Sequence, residues 1–263
     1  MKTKVTIQPK LKLSDLFIKI NKGNYKCSEF IFKSGRYSLY NIVKTVLEKK
    51  DIKKIYIPYF ICNEVIEGIK SFDLDIVFYD ITENLIPDVE SLKKNIQSNS
   101  LFIIVNYFGI RSNWEEMNML KKEYNLTFIE DNCHSLTNHS NYKLGINGDL
   151  SFNSLRKIIP VLSGSEVINC NLEYSVNYKY KKRFPTMNEI AYLFRRYLSF
   201  LNILKNKKQS IGKDSKINRN EYADFFSYNI LTTNQFSLES IRKKRLNNFR
   251  FWQSYLKNKN VYF

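Results

Sequence analysis

Apolar positions along the chain alternate between a helical and an extended spacing from residue 30 onward. Leu39, Ile42, Val43 and Leu47 recur at helical spacing, and Ser34 is the type of residue that caps a helix N-terminus. Short apolar runs separate this segment from further helical patterns. The predicted strands are 52–58, 75–79, 101–106 and 126–129, and the later helices predicted among them are 63–71, 89–97 and 114–124. This alternation indicates an α/β fold with a mainly parallel sheet that helices cover on both faces.

The pattern changes in the second half of the chain, where the elements become shorter and then helical and basic. The elements predicted there are strands at 148–153 and 164–168, helices at 188–204 and 236–256, and a polar loop at 205–220. The two short strands suit antiparallel additions to the sheet. We therefore predict a large α/β domain over residues 1–175 and a helical, basic segment over residues 176–263.

The chain is strongly basic, with a formal net charge of +17 over 263 residues. Such a charge is compatible with a nucleic-acid partner. The basic residues, however, are spread along the chain and thicken after Lys179 instead of forming one stripe, which favours a compositional bias and no nucleic-acid partner. Attraction of anionic substrates such as nucleotide-linked sugars remains a third interpretation.

Cysteine usage and the absence of long apolar runs narrow the class of protein further. The four cysteines show no C-x-x-C spacing, so neither a metal site nor a redox motif is predicted. Residues 1–12 are polar and basic, without the apolar core of a signal peptide, and no run approaches membrane-spanning length. We expect a soluble, cytoplasmic protein with reduced thiols and no membrane insertion.

Candidate chemistry follows the strand predicted at 126–129. Glu130 and Asp131 come directly after it, His134 follows, and Lys157 lies beyond the next apolar stretch. Ligands of open α/β folds bind past the carboxyl ends of strands. A carboxylate and a lysine there can form a pyridoxal phosphate site, with the lysine as Schiff base and the carboxylate beside the pyridinium nitrogen. Most such pairs are merely solvated, so the pair alone leaves both alternatives open.

A set of motifs in matching order carries a family resemblance. The set comprises Ser34-Gly35, Ile57-Pro58, Tyr107-Phe108-Gly109, Glu130 to His134, Gly148-Asp149, Ser151-Phe152, Lys157 and Gly164. Over roughly residues 30–170, and more loosely 220–256, the chain resembles the DegT/DnrJ/StrS family. These are fold-type I, pyridoxal-phosphate-dependent aminotransferases that act mainly on nucleotide sugars. The resemblance implies a large domain with a seven-stranded, mostly parallel sheet, a small C-terminal domain that is only partial here, and a homodimer.

The resemblance assigns the two catalytic positions to Lys157 and Asp131. Lys157 falls on the Schiff-base lysine when counted back from Gly164, but arrives one residue late when counted from Ser151, where Arg156 takes the expected position. Arginine cannot form the imine because its guanidinium stays protonated, so a one-residue bulge is expected. Asp131 falls on the carboxylate that keeps the pyridine nitrogen protonated.

The resemblance also assigns cofactor-binding residues. Gly35 and Arg36 match the turn whose amides bind the cofactor phosphate at a helix N-terminus. Arg36 stands where the family has a hydroxyl residue, and it either pairs with phosphate or points away. Ser151 matches a phosphate-binding serine, and His134 matches the residue that faces the phenolic oxygen. Phe60 either stacks on the pyridine ring or is an ordinary core residue.

The function implied is transfer of an amino group, with glutamate as the expected donor, to a keto-sugar nucleotide in cell-surface polysaccharide or related sugar biosynthesis. Lys157 would be nucleophile and general base in turn. The family's long helix, resembled by 236–256, leads into a full small domain, whereas this chain stops at Phe263. We therefore expect a chain that is incomplete as a catalyst. The alternative function is a truncated, non-catalytic family relative with a binding or regulatory role.

Overall fold

The computed structural model describes residues 27, 30–135, 144–159, 161–169, 171–174, 181–191, 194, 221–233 and 238–257. The strands are β1 Ile31–Phe32, β2 Lys54–Pro58, β3 Asp75–Tyr79, β4 Leu101–Val105, β5 Thr127–Asn132, β6 Leu150–Asn153 and β7 Ser165–Asn169. The helices are α1 Gly35–Leu47, α2 Asn63–Ile69, α3 Val89–Lys93, α4 Trp114–Glu123, α5 Phe225–Thr233 and α6 Leu238–Lys257. The predicted loop at 205–220 and most of the predicted helix at 188–204 lie outside these residues.

The seven strands form one sheet in the order β1-β7-β6-β5-β4-β2-β3. Neighbouring strands from β6 through β3 are parallel, and β7 and β1 are added antiparallel at one side. The predicted mixed α/β architecture with a mostly parallel sheet is therefore confirmed. The prediction that the strand at 148–153 is antiparallel is wrong, because β6 pairs parallel with β5 and only β7 reverses direction.

Helices cover both faces of the sheet, as the continuous apolar strands require. On one face, Ile55, Ile103 and Ile129 pack in a buried cluster with residues of α1 and α2. On the other face, Phe102 and Phe128 pack with residues of α4. Alternate residues of β5 therefore face opposite helix layers, and we call the first side the α1 face and the second the α4 face.

The carboxyl end of β5 extends further than the hydrophobic pattern predicts. The predicted strand ends at Ile129, whereas the observed strand continues to Asn132 because β4 and β6 flank it along its length. Asn132 still pairs with Asn153. Glu130 and Asp131 are thus strand residues, so their side chains point to opposite faces of the sheet.

The C-terminal helices adjoin the sheet domain near Lys157. Leu155 and Ile159 pack in a buried cluster with Ile230 and Leu231 of α5. Tyr222 forms an isolated bridge with Phe32 of β1. The predicted long helix at 236–256 corresponds to α6, and the proposed division between residues 175 and 176 stays a prediction. Among the residues with a described structure, no helix is both long and apolar enough to cross a bilayer.

Candidate active site at the carboxyl edge of the sheet

Asp131 lies near the end of β5 on the α1 face, because it follows Ile129 of that face by two residues in a regular strand. Its carboxylate is buried and accepts a hydrogen bond from the backbone N–H of Cys133, with 2.8 Å between Oδ1 and N. Burial raises the pKa of Asp131, against the opposing effects of the Cys133 hydrogen bonds and the positive charge of Lys157. A buried carboxylate of this kind gains stability from a cationic partner.

Glu130 points to the α4 face and has a structural task. Its two carboxylate oxygens accept hydrogen bonds from the Asn106 side chain at 2.8 Å and from the amides of Gly145, Asn147 and Gly148 at 2.7, 2.9 and 3.3 Å. The carboxylate thus fastens the loop before β6 to the centre of the sheet. The acidic pair of the sequence therefore separates into one structural and one candidate catalytic carboxylate.

Lys157 ends a 3-10 turn, Leu155–Lys157, that follows β6. Its backbone N–H donates to the Ser154 carbonyl at 3.0 Å. The positive charge of Lys157 opposes the rise in the pKa of Asp131 and contributes to the fall in the pKa of His134. Asp131, His134 and Lys157, which come from two separate segments of the chain, therefore lie within electrostatic range of one another. The charge of Lys157 acts on Asp131, His134 and the Cys133 thiol, and the charge of Arg156 acts on the Cys133 thiol.

His134 lies just past β5 and is exposed. Its ring stacks on Phe108, with 5.4 Å between the centroids. Partial desolvation, and then the charge of Lys157, hold the pKa of His134 below its usual range. The imidazole is therefore neutral near pH 7, able to donate one hydrogen bond and accept another.

The N-terminus of α1 adjoins the same strand end. A Cβ added at Gly35 would come within 2.9 Å of Cys133 Sγ and 3.4 Å of the Phe152 ring. A larger residue at this position would have to displace Cys133 Sγ, so Gly35 helps the helix N-terminus to reach the end of β5. Sequence reasoning did not single out Cys133, although it follows Asp131 by two positions. Burial and then the negative charge of Asp131 raise the pKa of the Cys133 thiol, which stays protonated at neutral pH.

Two predicted phosphate ligands are directed elsewhere. The Arg36 guanidinium pairs with Glu64 of α2, with 3.0 Å between Nη1 and Oε2. Of the two alternatives for Arg36, the structure thus has the side chain engaged with a neighbouring helix. Ser151 pairs in register with Glu130, and its hydroxyl donates to the Gly145 carbonyl at 3.1 Å on the α4 face. The assignment of Ser151 as a phosphate ligand stays a prediction, and in this structure its hydroxyl is engaged with the Gly145 carbonyl.

The register places Phe152, and not Ser151, beside Asp131 on the α1 face. The hydroxyl nearest in sequence to the α1 N-terminus is that of Ser34, which occupies the cap position but makes no side-chain bond to the cap amides. Ser34 is therefore a candidate anion ligand that the sequence analysis treated only as a helix cap. The sequence pattern of a helix N-terminus identified Ser34, but it could not show where the Ser34 hydroxyl points.

Phe60 stands past the end of β2 with its side chain 58% exposed, which excludes a role as an ordinary core residue. Its ring stacks on Tyr107 at 5.5 Å between centroids, and the Tyr107 hydroxyl donates to the Phe60 carbonyl at 2.5 Å. Burial, and then the charge of Asp131, raise the pKa of Tyr107, so its hydroxyl remains a donor. Tyr107 therefore fixes the position of an exposed aromatic ring.

The residues at this edge fit the main requirements of pyridoxal phosphate. Lys157 offers an amine, Asp131 a buried carboxylate whose pKa is raised by burial, and Phe60 an exposed flat ring. The N-terminus of α1, a 13-residue helix, offers amides and a positive dipole end for an anion. Within the described part of the chain, no three His, Cys, Asp or Glu side chains group as metal ligands.

Comparison with known families identifies one match. Residues 63–161 match the DegT/DnrJ/EryC1/StrS aminotransferase family. This segment is less than half of the chain and contains Asp131, His134 and Lys157. No curated protein sequence matches the chain.

Solved structures share the fold at low sequence identity. NtdA from Bacillus subtilis, with bound cofactor PMP, has a TM-score of 0.56 and 15% identity, covering 90% of this chain and 51% of that one. A GDP-4-keto-6-deoxymannose-3-dehydratase (ColD) variant with bound GDP-perosamine has a TM-score of 0.56, 16% identity and coverages of 86% and 61%. Helicobacter pylori PseC, an aminotransferase involved in the biosynthesis of pseudoaminic acid, has a TM-score of 0.53 and 18% identity, covering 85% of this chain and 62% of that one. The chain thus spans about half to three fifths of their lengths, and the likeness establishes the fold.

Proposed function

We propose, from the match of residues 63–161 to the DegT/DnrJ/EryC1/StrS aminotransferase family, that this chain is a pyridoxal-phosphate-dependent sugar aminotransferase. The observation that carries the proposal is that Asp131 at the end of β5, His134 just past it and Lys157 in the turn after β6 lie within electrostatic range of one another at the carboxyl edge of the sheet. Ligands of open α/β sheets bind at this edge. An amine, a buried carboxylate and an imidazole at this edge are the groups that such a cofactor requires.

Bound pyridoxal phosphate supplies an electron sink for the carbon that loses its proton. Lys157 would hold the cofactor through its amine and would take up and return that proton. Asp131 would pair with the positive charge of the pyridine nitrogen, and this pairing would offset the cost of burying its carboxylate. His134 would donate a hydrogen bond to the cofactor, and Phe60 would cover its ring.

The proposed phosphate site differs from the one that the sequence suggested. It consists of the first-turn amides of α1 at Gly35 and Arg36, with the hydroxyl of Ser34. Arg36 contributes its backbone, because its side chain is paired with Glu64. Ser151 is left out, because its hydroxyl lies on the opposite face of the sheet.

We base further proposals for the substrates and the biosynthetic pathway on the same family match. The amino donor is glutamate, and the acceptor is a keto sugar carried on a nucleotide, in cell-surface polysaccharide or related sugar biosynthesis. The chain's charge of +17 favours an anionic acceptor of this kind. We further propose a cytoplasmic homodimer.

A second candidate function is a non-catalytic family relative that binds a ligand or regulates a partner. Two observations favour it: Arg36 and Ser151 are both committed elsewhere. The fold alone does not decide the reaction either, since one solved structure of the same fold is a dehydratase. The two candidates differ in whether the chain forms a covalent adduct with the cofactor and reacts with glutamate.

An absorbance spectrum separates these candidates. We expect purified protein to produce a new visible or near-ultraviolet band when pyridoxal phosphate is added, and glutamate to convert it to the band of the aminated cofactor. Keto-sugar nucleotides added afterwards should restore the first band. A folded protein that leaves the spectrum of the free cofactor unchanged would favour the non-catalytic relative. A band that forms but does not respond to glutamate would exclude glutamate as the donor.

A further inference from the structure

The backbone that follows Lys157 packs closely against α5. Gly164 has a φ of +151°, and a Cβ at this position would lie 2.8 Å from Leu231 Cδ1 of α5. Ile159 and Val161 share a buried cluster with Leu231. The loop between Lys157 and β7 therefore has little room to move away from this helix.

Buried polar contacts fix the same loop to the first turn of α5. The Ser227 hydroxyl accepts hydrogen bonds from the amides of Leu162 and Ser163 at 3.1 and 3.2 Å. The Ser163 hydroxyl donates to Asp224 Oδ2 at 2.5 Å and accepts from the Asp224 amide at 2.8 Å. The other Asp224 oxygen caps α5 by accepting from the Ser227 amide at 3.0 Å. Ser163, Asp224 and Ser227, which we call the clamp, are all buried.

The turn that carries Lys157 is also held at its other end. Arg245 of α6 donates to the Lys157 carbonyl, with 3.1 Å between Nη2 and O. The Arg156 amide donates to the Gly164 carbonyl at 3.3 Å, which ties the turn to the clamped loop. Any displacement of residues 162–164 therefore reaches the backbone of Lys157 through one hydrogen bond.

We propose that Ser227, acting with Ser163 and Asp224, is a positioning residue that sets the direction in which Lys157 reaches Asp131 and His134. The proposal rests on the proposed function, in which Lys157 is the reactive amine. Ser227 touches neither the cofactor site nor its reacting atoms. Its hydroxyl satisfies one buried and one partly buried amide of the loop, so its loss removes the partner of both and loosens the loop on α5.

The test uses Ser227→Ala, with Ser227→Thr as the conservative variant that keeps the hydroxyl. Ser38→Ala is the matched control, because Ser38 is also a buried serine, and its hydroxyl links α1 to Ser165 of β7 without touching residues 162–164. The first readout is the rate at which pyridoxal phosphate and borohydride label Lys157, measured by peptide mass spectrometry. Misplacing a reacting group by about 1 Å can cost ~100-fold in rate.

We expect Ser227→Ala to label Lys157 about tenfold more slowly, and Ser227→Thr and Ser38→Ala to stay within about twofold of the parent chain. Equal labelling rates in Ser227→Ala and the parent chain would overturn the positioning role. If Ser227→Ala does not fold, Ser163→Ala removes only the hydroxyl bonds to Asp224, and we expect it to slow labelling about threefold. An unchanged rate in folded Ser163→Ala would then overturn the role.

A second readout separates failure of this proposal from failure of the proposed function. Acetylation of Lys157 by acetic anhydride needs no cofactor, and exposed Lys70 serves as the internal reference. A loosened turn exposes the half-buried amine, so Ser227→Ala should acetylate Lys157 about threefold faster relative to Lys70. If the parent chain forms no adduct with pyridoxal phosphate but this ratio changes, the proposed function fails and the clamp stands. If the adduct forms and neither readout responds to Ser227→Ala, the clamp fails and the function stands.

Discussion

Glu130 and Asp131 are neighbours in β5, but their carboxylates lie on opposite faces of the sheet and differ in their environment. Glu130 is surrounded by amide donors on the α4 face, which satisfy its charge where it lies. Asp131 has one backbone donor and a raised pKa on the α1 face. Because burial outweighs the charge of Lys157, an ionised Asp131 costs the cofactor-free chain stability, and a cation bound beside it would reduce this cost. Such a conflict between stability and charge is typical of functional sites.

This difference gives a pH-dependent prediction for Asp131→Asn. Because the pKa of Asp131 is raised in the folded chain, that chain binds more protons than the unfolded chain, and its stability falls as pH rises through the window above the ordinary pKa. Asparagine has the same shape but no charge. Without cofactor, Asp131→Asn should therefore match the parent Tm at low pH and exceed it near pH 7.

The same substitution should cripple any half-reaction with glutamate. It removes a charged interaction with the pyridine nitrogen that is typically worth about 1.5–3 kcal/mol. Thermal melts across pH and the spectral response to glutamate are the two measurements. Full transamination by Asp131→Asn would contradict the assigned cofactor orientation, and a lower Tm near pH 7 would contradict the stated burial cost.

At the scale of elements, the approach of α1 to the end of β5 depends on one glycine. A methyl group at position 35 would meet Cys133 Sγ at 2.9 Å, closer than real contacts allow. We expect Gly35→Ala to lower the free energy of unfolding by about 1–3 kcal/mol through overpacking. It should also weaken pyridoxal phosphate binding, because the helix N-terminus would move away from Asp131. Denaturant unfolding and spectral titration measure the two effects.

A double variant tests the cause of this loss. Cys133→Ala removes the sulfur that the new methyl group would meet, so Gly35→Ala combined with Cys133→Ala should be more stable than the sum of the single effects predicts. Strict additivity would show that the loss does not arise from this contact. The double-mutant cycle thus distinguishes a local steric conflict from a general preference for glycine in the turn.

Element positions were largely readable from the sequence, because periodic apolar residues identify α1, α4 and the central strands directly. The direction of β6 relative to β5 was not readable from the sequence, because hydrophobicity does not distinguish parallel from antiparallel pairing of a buried strand. The face on which Ser151 lies was not readable for a related reason. Side chains of a strand alternate between the two faces, and only the observed register shows that Ser151 shares a face with Glu130.

The candidate site was predictable in part. Asp131 lies at the end of β5, and His134 and Lys157 lie just past β5 and β6, at the edge to which parallel topology brings the strand ends. The motif order predicted the proximity of these three residues, and their catalytic roles stay predictions. The partner of Arg36 was not predictable, because Glu64 lies on another helix whose packing depends on the whole sheet. The same holds for Tyr107, which contacts Phe60 only after β2 and β4 pair.

At the scale of the whole molecule, the first part of the chain and the helices α5 and α6 meet around Lys157. The lysine turn is bonded to Arg245 of α6, and the loop beyond it is bonded to α5. Several aromatic side chains of α6 are nevertheless exposed: Phe249, Phe251, Trp252 and Tyr255. The chain spans 51–62% of the lengths of the solved structures compared above. Its activity and sugar specificity are therefore to be measured directly on this chain.

The central claim is that Lys157 is the amine that captures the cofactor. The most direct measurement is peptide mapping after pyridoxal phosphate and borohydride, on the parent chain, Lys157→Ala and the neighbouring-cation control Arg156→Ala. We predict a single reduced adduct on Lys157, lost in Lys157→Ala and retained in Arg156→Ala, with unchanged circular dichroism in all three. An adduct on a different lysine, or none on folded protein, would contradict the account.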